Sequence, residues 1–444
     1  MKDKLVNEFL LIRKIIIIFI TCLIPVLYIF YLLTTHGYLF SNLSMMHISF
    51  KLNEFYKFFL IILIPITVGS IITGKKKIML YDKFLIIFLL FTIVSCVFAY
   101  NKNLALNGME IKNEGLYCIL FYLLLYFNTS QIEDMKIIKY TIYSLIGVNI
   151  IEFIAAFLQR FGWFYTIFNK TYDETTVIGL AGNCNYLGSL MCMFTTLFVL
   201  LYYFSNNKYK YLYFIMFIVS YVTLLLANSL GPFLSLFITF FFILIFVCKK
   251  KKFNWKRFLI ISILCVTLYP IALYKRDDMT PQILNDVSYI MKKILNINIT
   301  STGTIESDDE LGTGRVGLWK KTWKIIKRNP LLGYGPDNLS LISKQIIDGD
   351  TTYVAKAHNI YLQTWVSSGI VALIGYLGWL IVILINAFKN KNIFVNILGF
   401  TILSYSIQGL FNISVMEVAP YFYIVMGLCV LLLNKKLRNN DFVN

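Results

Sequence analysis

Charge is scarce in this 444-residue chain: Asp, Glu, Lys and Arg make up 14% of it, against roughly a quarter in an average soluble domain. That excludes water as its main solvent. Histidine is nearly absent, with only His36, His47 and His358, so a search for acid/base groups has few candidates. The eight cysteines form no C-x-x-C pair and fall mainly in apolar stretches. This argues against a disulfide framework or a metal knuckle and leaves them as small core residues. The first apolar run lacks a small-x-small cleavage signal behind it, so it reads as a retained helix, not a removable leader. No repeat of about 20 to 50 residues recurs, which weakens a transporter built from inverted repeats.

What the chain has is apolar sequence, 58% of all residues, in runs long enough to cross a hydrocarbon core of roughly 30 Å as helices. Spans are predicted near 15–33, 56–73, 84–100, 115–129, 138–160, 180–204, 210–227, 229–248, 258–275, 370–388, 393–412 and 417–434. The expected fold is an all-α polytopic membrane protein of about twelve transmembrane helices, with one large extracytoplasmic loop containing short amphipathic helices. In domain terms this is 1–275 as helices 1–9, 276–369 as the extracytoplasmic loop, and 370–444 as helices 10–12 with a tail. Net charge is +18, and the basic runs Lys75-Lys76-Lys77, Lys249 to Lys252, Lys389 with Lys391, and Lys435-Lys436 share one side if the amino terminus is cytoplasmic. The positive-inside rule selects that topology, with both termini cytoplasmic in the cytoplasmic membrane. The excess charge then addresses anionic lipid headgroups and not nucleic acid.

Within the loop, Thr280-Pro281 supplies an N-cap and a first-turn proline for an amphipathic helix carrying Ile283, Leu284, Val287, Ile290, Met291 and Ile294. Gly303 to Glu310 is acidic but lacks metal-ligand spacing, and reads as a solvated loop. A second helix runs from Arg315 to Arg328, stopped by Asn329-Pro330, with Trp319 and Trp323 on one face and lysines on the other. That pattern fits either a helix lying on a membrane surface or ordinary packing on the membrane domain.

The chain has 34 Lys but seven Arg, of which Arg160, Arg276, Arg315 and Arg328 fall on the outer side. A planar guanidinium can clamp phosphate bidentately where an ammonium cannot, and Arg315 opens its helix after Gly312-Thr313-Gly314. His358 sits where the loop returns to the membrane, and low dielectric there keeps a neutral nitrogen available to accept a proton. Asn183 and Asn185, at the outer end of the sixth span, either contact a sugar or phosphate or bond to a neighbouring helix backbone.

In order, Gly182 to Asn185, Asn228-Ser229-Leu230-Gly231, Gly314-Arg315 with Trp319, Asn329-Pro330-Leu331-Leu332-Gly333-Tyr334-Gly335, His358-Asn359-Ile360-Tyr361-Leu362 and Gln408 to Asn412 resemble the O-antigen ligase and O-antigen polymerase superfamily of bacterial envelope enzymes. The likeness is strongest over 177–434. It implies an inverting, metal-independent and cofactor-free transfer of a glycan from undecaprenyl diphosphate to a glycan, lipid or cell-wall acceptor hydroxyl on the outer face of the cytoplasmic membrane. On that resemblance His358 and Arg315 are the catalytic residues, with Asn183, Asn185, Gly333, Gly335, Asn359 and Arg276 binding substrate. One departure stands out: Leu230 occupies the position where members usually carry an Arg that contributes to diphosphate binding. Arg160, Arg276 or a loop Lys would have to compensate. Two other readings compete, a lipid-linked oligosaccharide flippase or transporter and an inactive envelope-assembly subunit, the latter drawing on Leu230.

Overall fold

The computed structural model describes residues 11–12, 15–16, 18–19, 52–73, 78–109, 114–132, 134–162, 177–274, 277, 279–295, 297, 305–346 and 353–435. Its α-helices are, in chain order, α1 (Leu52–Thr73), α2 (Leu80–Val97), α3 (Lys102–Asn107), α4 (Leu116–Ser130), α5 (Lys136–Arg160), α6 (Cys184–Phe204), α7 (Lys210–Leu226), α8 (Leu230–Lys249), α9 (Trp255–Ala272), α10 (Met279–Leu295), α11 (Arg315–Ile326), α12 (Leu339–Ile346), α13 (Ile360–Lys389), α14 (Ile393–Gln408) and α15 (Ala419–Asn434). No strand occurs among the described residues. Each span expected from 56–73 onward coincides with an apolar helix. Six of these helices, α2, α5, α6, α8, α9 and α13, are long and apolar enough to cross a membrane, while α4, α7, α14 and α15 are apolar but shorter. The first expected span, 15–33, falls largely outside the described residues.

Burial grades the helices by position. Every residue of α6 from Leu187 to Tyr202 is buried, as is every residue of α15 from Ala419 to Leu432, so these two are interior pillars with α14 beside them. α9 buries nothing and forms an apolar edge. Since hydrocarbon is as apolar as leucine, such helices associate through close packing and hydrogen bonds. Gly375 of α13 illustrates the first, since a Cβ there would lie 2.6 Å from the Phe88 backbone nitrogen of α2. Asn149 of α5 illustrates the second, donating to the Met216 carbonyl of α7 at 3.0 Å.

α13 is two helices joined at a break. Gly369 has φ 83° and ψ 172°, so the helical ladder stops there and resumes at Ile370, where the tenth span was expected to begin. The carbonyls released by the break need partners in a low-dielectric setting. The segment Pro330 to Gly335 supplies them: Tyr334 N–H donates to Val366 at 2.9 Å and Gly335 N–H to Ser367 at 2.8 Å, while Ile370 N–H donates to Pro330 at 2.9 Å. Gly333 (φ 70°) lies so close to this break that a Cβ would come within 2.6 Å of the Ser367 carbonyl.

The half of α13 before the break helps build a second, smaller core: Val366 packs with Ile325 and Ile326 of α11 and with Leu339 and Ile342 of α12. Trp323 meets Trp365 edge to face, ring centroids 5.1 Å apart. Trp323 keeps 41% of its surface exposed beside that contact. The described part of the acidic stretch ties α10 to α11, through Asp308 to Lys293 at 2.5 Å and Asp309 to Lys320 at 2.6 Å. Exposed pairs of this kind contribute little stability, about 0 to 1 kcal/mol each.

Candidate functional site

The approach to α6 is pinned before the helix starts. Gln159 Oε1 of α5 accepts from the amides of Ile178 and Gly179 at 3.0 and 2.9 Å, and Glu152 Oε2 accepts from Leu180 N–H at 2.9 Å. Gly182 then turns the chain at φ 73°, and Asn183 caps α6 by accepting from Asn185 N–H at 2.8 Å. Asn183 is thus a helix cap, satisfying an amide that the helix itself leaves without a partner.

Asn185 joins the parts. Its side-chain oxygen accepts from Ser229 Oγ at 2.7 Å and from Arg315 Nη2 at 3.2 Å, while its backbone carbonyl accepts from Asn412 Nδ2 at 3.1 Å. Ser229 is the residue before α8, Arg315 opens α11, and Asn412 follows α14. Segments far apart in sequence are brought to one point.

Arg315 is held from several directions. Nε donates to the Phe411 carbonyl at 2.8 Å, Nη1 to the Gly312 carbonyl at 3.0 Å and to Thr313 Oγ1, and Nη2 to Asn185. All of these acceptors are neutral. Burial pulls the guanidinium below its ordinary value, partly offset by the nearby Cys184 thiol. A charge fixed in place without a carboxylate among these partners is available to an incoming anion. The amino-terminal ends of α6, α8 and α11 meet here, and each adds partial positive charge. Leu230, the first residue of α8, is half-buried directly after Ser229.

His358 is half-buried with φ 48°, a left-handed conformation that costs about 1 to 3 kcal/mol for a non-glycine residue and persists only where its surroundings enforce it. Asn359 on one side caps α13, accepting from Tyr361 and Leu362 amides at 2.9 and 3.0 Å. On the other, Lys356 is 2% exposed and paired with Asp337 and, at 3.3 Å, with Glu114. Asp337, itself at φ 58°, also accepts from the amides of Met109 and Glu114 at 2.8 and 3.0 Å. Burial raises the Glu114 carboxyl to about 7, with Lys356 pulling the other way. Sequence reasoning passed over this triad, because single charged residues in polar loops read as solvated. Left-handed non-glycine residues flank both parts of the site: Asn228 precedes Ser229, Thr313 lies just before Arg315, and Asp337 and His358 bracket the Lys356 arm.

The other expected binding residues divide. The amides of Gly333 and Gly335 are engaged within the chain, by the Asn329 carbonyl at 3.3 Å and by the Ser367 carbonyl and Ser95 Oγ at 2.8 and 3.1 Å, and both glycines pack closely against their neighbours. Arg160 donates to the Tyr274 carbonyl at 2.6 Å. Arg276 lies outside the described residues.

Residues 212–377 match the model of a family described as O-antigen ligase. The matched stretch runs from α7 into α13 and contains Ser229, Arg315, Gly333, Gly335, His358 and Asn359. A protein of Haemophilus influenzae (strain ATCC 51907 / DSM 11121 / KW20 / Rd), described as an uncharacterized protein, is 26% identical over 384 residues, 78% of this chain and 87% of the relative.

Proposed function

We propose, from the match of residues 212–377 to the O-antigen ligase family model, that the chain transfers a glycan from a polyprenyl diphosphate, of the undecaprenyl class, to an acceptor hydroxyl at the outer face of the cytoplasmic membrane. The observation that carries this reading is Arg315: a guanidinium anchored at the meeting point of three helix amino termini by acceptors that, among the described residues, are neutral.

The chemistry follows from the residues. The acceptor oxygen attacks the anomeric carbon as the bond from that carbon to the diphosphate oxygen breaks, a single displacement that inverts configuration. Negative charge grows on the leaving diphosphate, where Arg315 and the amino termini of α6, α8 and α11 stabilise it. His358 takes the proton that the acceptor hydroxyl loses. Lipid diphosphate is a good leaving group, and fixed positive charge does here what a metal ion would otherwise do. Arg315 at the start of α11 and His358 just before α13 belong to the stretch that the positive-inside topology puts on the outer side.

The test is transfer by purified protein in lipid nanodiscs, given a polyprenyl-diphosphate glycan, a hydroxyl acceptor and a chelator. Product with inverted anomeric configuration is expected from the wild type and not from Arg315→Ala. Product of retained configuration, or full activity in Arg315→Ala, would sink the mechanism.

A further inference from the structure

Beneath the Lys356 arm lies a cavity of about 70 Å³, separate from the Arg315 cluster. Four helices each contribute one tyrosine to it: Tyr122 from α4, Tyr376 from α13, Tyr405 from α14 and Tyr423 from α15. Glu114 and Lys356 also line it, together with Gln363 and Thr364 from the first half of α13. The Tyr122 hydroxyl is buried, at 2% exposure for the residue, and the Cys118 thiol beside it is a weak partner that leaves its hydrogen-bonding capacity largely unused. Leaving a buried hydroxyl unsatisfied is costly, so its presence in a cavity wall points to a visiting polar group.

These walls discriminate between ligands. An anion would meet donors only, but here Glu114 and Asp337 answer the charge of Lys356. An acyl or prenyl chain would require an apolar wall, whereas this one carries carboxylate, ammonium, amide and hydroxyl groups. A neutral group whose hydroxyls both donate and accept suits the mixture, and the tyrosine rings suit its C–H faces. Binding pockets for whole ligands measure about 300 to 1,000 Å³, so this one admits the edge of a single ring and not a repeat unit.

The cavity and the Arg315 cluster share one arm of chain. Ile360 lines the cavity and donates its amide to the Gly409 carbonyl at 2.7 Å, two residues before Phe411, whose own carbonyl accepts from Arg315. His358 stands two residues before Ile360 on that arm. We infer that the tyrosine-walled cavity seats the terminal sugar of the acceptor, edge first, while the Arg315 cluster holds the donor's diphosphate. This rests on the transfer reading above.

Steady-state transfer kinetics with donor and acceptor varied separately test it, using Tyr122→Phe and Glu114→Gln. Tyr122→Phe removes one buried hydroxyl whose neighbour is the weakly bonding Cys118 thiol, so the thermal midpoint should hold or rise. Its acceptor KM should rise roughly threefold to tenfold, the size of one hydrogen bond, with donor KM unchanged. An unchanged acceptor KM in both variants overturns the inference, as does a donor KM that rises with it, which would assign the cavity to the donor's own glycan. If the wild type transfers nothing, the proposed function fails, and the cavity is judged alone by saturation-transfer NMR with the methyl glycosides of glucose and N-acetylglucosamine. Saturable binding weakened by Tyr122→Phe sustains a sugar site, and no saturable binding removes it.

Discussion

Arg315 Nη2 lies 3.2 Å from Asn185 Oδ1, across 130 positions of sequence. The amide oxygen orients the guanidinium without cancelling its charge, so the pair holds a cation ready for a ligand. Asn185→Asp keeps the shape but supplies an internal counter-ion. Transfer should fall by roughly 100-fold or more, the scale of losing one preorganised charge contact. The thermal midpoint should hold or rise. Donor-saturation kinetics beside a melting curve separate the two effects.

Leu230 offers a gain-of-function test. It follows Ser229, which bonds Asn185, so Leu230→Arg adds a second guanidinium at the amino terminus of α8. Donor KM should drop severalfold, by about 1 kcal/mol or more for a charge-assisted contact to phosphate. Titration of the lipid-linked donor at saturating acceptor measures it.

For His358, backbone strain and chemistry can be pulled apart. His358→Gly relieves the left-handed conformation and should leave stability unchanged or about 0.5 to 1 kcal/mol higher, while transfer falls about 100-fold to 10,000-fold. A thermal midpoint and a turnover measurement on the same preparation give both numbers.

Glu114 makes stability depend on pH. Its folded-state value, about 7, lies above the ordinary 4.5, so the folded chain holds this proton longer than the unfolded chain does. The contribution to stability is full below about 4.5, declines as pH rises towards 7, and is lost above that. The rest of the chain carries titrating groups of its own, so the comparison must be a difference. Between pH 5 and 7 the thermal midpoint of the wild type should fall relative to that of Glu114→Gln, which carries no titrating proton there.

At Gly369 a Cβ would stand 1.9 Å from the Leu331 carbonyl oxygen. Gly369→Ala combines a backbone collision with a disfavoured φ and should cost about 3 kcal/mol or more. Yield of monodisperse protein after detergent extraction, and its melting temperature, should both drop.

The helices were legible because an apolar run long enough to cross hydrocarbon announces itself, as α6 and α8 do. The break inside α13 was not, since Ile360 to Lys389 is apolar on both sides of Gly369 and its carbonyl partners lie some thirty residues upstream, at Tyr334 and Gly335. α12 escaped notice because eight residues hold too little periodicity. Arg315 and Asn185 were each visible as motif residues, and only the fold joins them. Lys356 and Glu114 sit 242 positions apart, and no local pattern links two such charges. The tyrosines of the cavity look like ordinary membrane-helix residues, since each arrives from a different helix.

The break at Gly369 bears on how the chain is assembled during synthesis. Pro330 to Gly335 emerges from the ribosome before α13 exists, so the amides of Tyr334 and Gly335 must wait in water for Val366 and Ser367. Neither half is complete alone: the stretch upstream lacks acceptors, and the helix downstream would enter lipid with bare carbonyls. Docking the two is then a coupled event that must wait for α13 to be made. A chain stalled before it would span the membrane but leave a hydrated notch between Pro330 to Gly335 and the break at Gly369.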